Sequence, residues 1–318
     1  MSSKREPNRL RLFARFSENL ALLHEELKGR YVCPLCLRDD FSEDSVRGHS
    51  PDLTEEHCIP DGLGENVFVL TCAGCNNTTG RTIDSHLHKL LKAREFWKGT
   101  YGADLPARID FAGNSLAVNI RRTAGEAVRM DMFVVKKACD PEAIRRSEES
   151  IRNKQQVDGF KLHFGPNETP DTRRSRIALV KSAYLLMFQK FGYSYILHDL
   201  LDPVRQQIQK PKEKILPLSA IVLDFDIDQL PPTIAMVTPP KQLEACVVPI
   251  ALHKYGVGKV VALPSHSQTY ANWQKRHAEQ GKDSHVRLSC APMGECDILS
   301  LDQHLTWEPR PSDAKDEF

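Results

Sequence analysis

Two cysteine pairs, Cys33-Pro34-Leu35-Cys36 and Cys72-Ala73-Gly74-Cys75, share the C-x2-C spacing. Such a turn brings two thiolates to one side of a tight loop, and two of these turns close the tetrahedral site that structural Zn²⁺ prefers. One zinc ion would then tie together both ends of a short segment. It can contribute on the order of 10 kcal/mol of folding free energy. A redox dithiol is the rival chemistry, but it needs only one C-x2-C beside a βαβ unit. Cys58, Cys139, Cys246, Cys290 and Cys296 lack such a partner and read as buried small apolar residues.

Between the pairs runs Leu53-Thr-Glu-Glu-His57-Cys-Ile-Pro60-Asp-Gly-Leu-Gly64-Glu-Asn66-Val-Phe-Val-Leu-Thr-Cys72, and the second pair is followed by Asn76-Asn-Thr-Thr-Gly80. An acidic residue and a His precede a hydrophobic residue and Pro. A Gly-rich turn follows, then an Asn that opens the next apolar strand, then Cys-x-x-Cys-Asn. Over residues 31–82 the chain resembles the HNH nucleases, the ββα-metal or His-Me finger group, in the form that carries two C-x2-C zinc knuckles. The rest of the chain lies outside the resemblance.

The residue types also make chemical sense. Phosphodiester hydrolysis needs a base to activate water and a cation to neutralise charge on the scissile phosphate. His57 can be that base near neutral pH, its ordinary pKa being about 6.5. Glu56 offers a hard oxygen ligand for Mg²⁺ or a similar ion, and Asn76 offers a second. Carried over residue by residue, the resemblance implies that His57 is the general base and that Asn66 orients its ring. It implies that Glu56 and Asn76 hold one catalytic divalent metal, Mg²⁺, Mn²⁺ or Ni²⁺, beside a structural Zn²⁺ on Cys33, Cys36, Cys72 and Cys75. Asn77, next in line, offers the same amide. Thr79 stands where the family has Lys, which leaves Arg81 as the candidate phosphate contact.

The elements that must position these groups follow from periodicity. Residues 7–28 predict an amphipathic helix, with Leu10, Phe13, Phe16, Leu20, Leu23 and Leu27 at three- and four-residue steps. Residues 31–100 form the expected zinc-stapled ββα-metal HNH domain, ending in a polar helix from Thr82 to Trp97. Residues 101–318 read as a larger α+β domain of unknown role, in substrate binding or regulation. It has strands within 108–135, a charged helix from Pro141 to Gln156, a largely buried helix from Ile177 to Leu197, and short strands at Ala220–Phe225, Ile234–Val237, Cys246–Ala251 and Val260–Leu263. A loose charged tail follows Pro309. The expected class is α+β throughout.

Bland readings cover several other features. His86 and His88 are two apart on a helix, share no face, and read as solvated. Asp224, Asp226 and Asp228 read as charge on an edge strand. Gly256-Val-Gly258-Lys259 is too short for a phosphate-binding loop.

With 41% hydrophobic and 27% charged residues, the composition excludes a wholly disordered chain, and no apolar run has membrane-spanning length. The first residues do not read as a signal peptide, so a cytoplasmic location without a membrane partner is expected. Net charge is +1, yet residues 101–190 hold 16 basic against 11 acidic groups. Arg121, Arg122, Lys136, Lys137, Arg145, Arg146, Arg173, Arg174 and Arg176 are candidates for a nucleic-acid surface there. The expected function is a metal-dependent endonuclease acting on DNA, with RNA as a further substrate class, of the kind used in bacterial or phage defence and restriction. The competing expectation is a non-catalytic zinc-finger module that binds nucleic acid or a partner protein.

Overall fold

The computed structural model describes residues 5–38, 40–64, 66–111, 113–123, 129–152, 159, 161–163, 171–237, 240–279, 289–294 and 298–299. The tail after Pro309, the end of the charged helix at Gln156 and Cys296 lie outside the described residues. Helices and strands are mixed along the chain, as an α+β class requires. Contacts group it into two compact units, residues 1–84 with 176–318, and residues 85–175.

The first unit begins with α1 (Glu6–Leu23), whose stripe of Leu12, Phe13, Phe16 and Leu20 is buried. Pro7 sits in its first turn, where a missing N–H costs nothing. The helix stops at His24, short of the expected 28. Glu25–Leu27 form a 3₁₀ turn with no buried residue, so the last predicted turn has no apolar face to hold it. Next comes the hairpin of β1 (Tyr31–Val32) and β2 (Asp40–Phe41), and then the hairpin of β3 (Leu53–His57) and β4 (Phe68–Cys72). β4 runs directly into α2 (Ala73–Thr79), and a π-helical turn, Gly80–Asp84, closes the segment.

The second unit starts with α3 (Ser85–Lys98), followed by β5 (Asp104–Phe111), β6 (Asn114–Thr123), β7 (Arg129–Val134), α4 (Pro141–Arg152) and β8 (Lys161–His163). The strands form an antiparallel sheet in the order β7-β6-β5-β8. Leu105, Ala107 and Ile109 of β5 and Leu116, Val118 and Ile120 of β6 alternate along their strands and bury one face, with Phe96 of α3 and Ala143 of α4 in the same core.

The chain returns to the first unit through α5 (Thr172–Phe191), where Ile177, Val180, Tyr184, Leu185 and Phe188 are fully buried. A helix apolar all round must be enclosed on all sides. Phe188 stacks on Phe16 of α1 with ring centroids 4.4 Å apart. This return is why the contact units cut across the expected divisions at 30 and 100. Gly192 ends α5 at φ +63°, and a Cβ there would lie 2.2 Å from the Asn19 Oδ1 that accepts the Tyr193 N–H. Glycine is required on both counts.

Beyond it come α6 (Tyr193–Ile196), α7 (Asp202–Gln209), α8 (Leu218–Ile221), β9 (Val222–Phe225), β10 (Ala235–Val237), β11 (Ala245–Leu252), β12 (Val257–Pro264), α9 (Thr269–Glu279) and β13 (Cys290–Pro292). The five strands make an antiparallel sheet ordered β13-β10-β11-β12-β9. β9 is an edge strand and Asp224 on it pairs with Lys259. The strand ends at Phe225, so Asp226 and Asp228 do not share its face as expected.

Candidate functional site

The four paired cysteines converge. Cys33 and Cys36 flank the tight turn after β1, Cys72 ends β4, and Cys75 lies in the first turn of α2; all four Sγ atoms lie within 4.8 Å of one another. Tetrahedral Zn–S bonds of about 2.3 Å put sulfurs on the order of 3.8 Å apart, so the cluster is of the right size and donor chemistry for zinc. The backbone orients it, since the Cys72 N–H points at Cys33 Sγ (3.3 Å) and the Cys75 N–H at Cys72 Sγ (3.4 Å). Cys72 caps α2, and its thiol is drawn down to about 7, first by its hydrogen bond with Cys33. Of the remaining cysteines, Cys58 and Cys246 are buried as expected and Cys139 is half-buried, whereas Cys290 is exposed on β13.

His57 is the last residue of β3 and is paired in register with Phe68. The two rings pack at 4.3 Å between centroids, which holds the imidazole at the mouth of the hairpin with 22% of its side chain exposed. Nε2 faces the Asp61 carboxylate at 3.9 Å, while Nδ1 is buried and has no hydrogen-bond partner among the described residues. Burial lowers the His57 pKa from its ordinary value; Asp61 opposes the shift, and Arg5 adds to it. The shift favours the neutral ring, the form that can accept a proton.

Glu56 does not join it. Side chains alternate along a strand, so adjacent residues face opposite sides of the hairpin. Glu56 is 5% exposed, and its Oε1 accepts from the Lys181 ammonium at 2.5 Å. Lys181, on α5, is fully buried and also reaches Asp84 Oδ2 at 2.5 Å and Thr79 Oγ1 at 3.4 Å. The expected pairing of Glu56 and Asn76 around a divalent ion does not fit this arrangement, because the carboxylate is already committed to an internal cation. Burial raises the Glu56 pKa; Lys181 works against that shift and Asp84 with it.

Asn76 sits one residue after Cys75, and its side-chain N–H₂ donates to Thr54 Oγ1 (2.9 Å) and to the Glu55 carbonyl (3.0 Å). These bonds tie α2 to β3 and leave Oδ1 as the side-chain atom free for a further partner. Asn77 is exposed. Asn66 is also exposed, and no hydrogen bond joins it to the His57 ring, against which Phe68 packs instead. Arg81 is exposed in the π-helical turn, and its Nε donates to the Asn77 carbonyl.

Phe68, Asp84 and Lys181 are the neighbours that sequence reasoning missed. The one Lys inside the run Ile177–Phe188 was the available signal for Lys181, since such a group is almost never buried unpaired.

In the second unit many of the basic side chains are engaged locally. Arg145 lies between Glu142 (2.9 Å) and Glu149 (2.6 Å), Arg146 bonds Asn114, and Arg121 and Arg122 ride on the Phe133 and Phe96 rings. Arg174 pairs with Asp171 at 3.3 Å and with His86 at 3.0 Å, so His86, expected as solvated, is half-buried and hydrogen-bonded. Among the described residues no helix is long and apolar enough to cross a membrane.

Comparison with protein-family models, with curated proteins and with solved structures gave no match.

Proposed function

We propose that this chain is an endonuclease of the HNH kind, hydrolysing phosphodiester bonds in DNA or RNA. In this reading a structural Zn²⁺ on Cys33, Cys36, Cys72 and Cys75 fixes the β3-β4-α2 frame, and His57 is the general base. The observation that carries the reading is the half-buried His57 at the end of β3, on a hairpin and helix joined by four converging thiols. His57 would take the proton of the attacking water, and Phe68 would keep the ring from turning away. A role in defence or restriction follows from the resemblance alone.

A second reading is favoured by one observation, the commitment of Glu56 to Lys181: a zinc-stapled module that keeps this frame and binds nucleic acid or a protein without cutting. Nicking and linearisation of a supercoiled plasmid, together with cleavage of single-stranded and double-stranded DNA and RNA, decides between them. The assay is run with Mg²⁺, Mn²⁺, Ni²⁺ or chelator. Cleavage that His57→Ala abolishes supports the nuclease; binding without cleavage under every condition supports the module.

A further inference from the structure

The Lys181 ammonium is fully buried and reaches three oxygens, two from carboxylates and one from a hydroxyl. That donor set of Glu56 Oε1, Asp84 Oδ2 and Thr79 Oγ1 is the hard-oxygen kind that otherwise holds Mg²⁺ or Mn²⁺. Two carboxylates against one ammonium also leave the cluster one negative charge in excess when all are ionised. Asp84 Oδ1 is buried with no hydrogen-bond partner among the described residues, and Asp84 itself is 8% exposed. A small buried site with spare anionic oxygen holds a cation strongly, and here the chain supplies one from α5, far along the sequence from both carboxylates.

We propose that Lys181 is the resident cation of the Glu56–Asp84 pair, standing where a divalent ion would otherwise bind, so that the native chain takes up no divalent metal through Glu56. The ammonium also ties α5 to β3 and to the turn after α2, which makes the hairpin and the return helix one electrostatic unit. The proposal does not depend on whether the chain cleaves nucleic acid.

The test is Mn²⁺ uptake by the zinc-loaded full chain, read from the loss of the free-ion electron paramagnetic resonance signal and from thermal midpoints with and without Mn²⁺. Wild type and Glu56→Gln should take up the same amount. Lys181→Ala should gain one Mn²⁺ per chain and a midpoint rise of about 3 °C or more, since a ligand that binds only the folded state stabilises it. Adding Glu56→Gln to Lys181→Ala should abolish both gains. Mn²⁺ uptake by wild type that Glu56→Gln removes would overturn the proposal, as would a folded Lys181→Ala that gains none. If Lys181→Ala does not fold, the wild-type and Glu56→Gln comparison decides alone.

Discussion

Glu56 and His57 are neighbours on β3 that face opposite sides of the hairpin. Glu56 is locked to Lys181 in the interior, and His57 packs on Phe68 at its mouth. One residue of register thus separates a structural carboxylate from a candidate base. A divalent-ion ligand at the surface could be lost with little effect on stability, whereas removing Glu56 takes from the buried Lys181 ammonium one of its two carboxylate acceptors, a charge-assisted hydrogen bond worth about 1.5 to 3 kcal/mol. Glu56→Ala should therefore lower the denaturant midpoint, and Glu55→Ala, whose equally covered carboxylate accepts from the neutral Asn8 amide and meets Arg5 only at 3.9 Å, should lower it less. Equal effects would contradict the assignment.

Purified protein should contain one zinc per chain by elemental analysis, and Cys72→Ser should lose it. Because β4 and α5 belong to the same unit, hydrogen exchange in that variant should quicken across 31–84 and across α5. The sheet of residues 104–134 should keep its protection. A variant that retains full zinc, or one that loosens only the second unit, would count against the cluster as a staple.

Phe16 is fully buried against Phe188, and truncating such a ring costs about 3 to 5 kcal/mol. Phe16→Ala should lower the unfolding free energy of the first unit by that amount. A shift below about 1 kcal/mol would mean that α1 is not part of that core.

The pH profile of cleavage follows from the burial of His57. Its pKa in the fold is depressed, so the neutral, proton-accepting form persists below the ordinary value of about 6.5. Activity should fall on the acid side with a midpoint below 6.5, where the ring protonates. The sign for stability is the same. The unfolded chain binds the proton more readily, so this group penalises the fold as pH drops and has no effect above the unfolded value. An acid limb centred above 6.5 would contradict it.

Much of the site was legible because it is local. The C-x2-C turns, the strand carrying His57 and the Asn after Cys75 are each written within a few residues, and the cysteine cluster needs only that a hairpin bring its two halves together. What was not legible depends on chain return. Lys181 lies 125 residues from Glu56, and no spacing rule links them. The same return moved the domain divisions, because the periodicity of α5 shows that it is buried but not by what. Asn66 was expected beside His57 from the resemblance, whereas the ring packed on His57 is Phe68, a cross-strand neighbour that the register of β3 and β4 could have supplied.

The most direct measurement of the central claim is the single-turnover rate of nucleic-acid cleavage by His57→Ala beside wild type, with zinc content and binding affinity measured on the same preparations. Loss of a positioned base should lower the rate by about 10²- to 10⁴-fold, with zinc unchanged, since His57 is not part of the thiol cluster, and affinity nearly so. A His57→Ala protein that cuts at the wild-type rate would contradict the account.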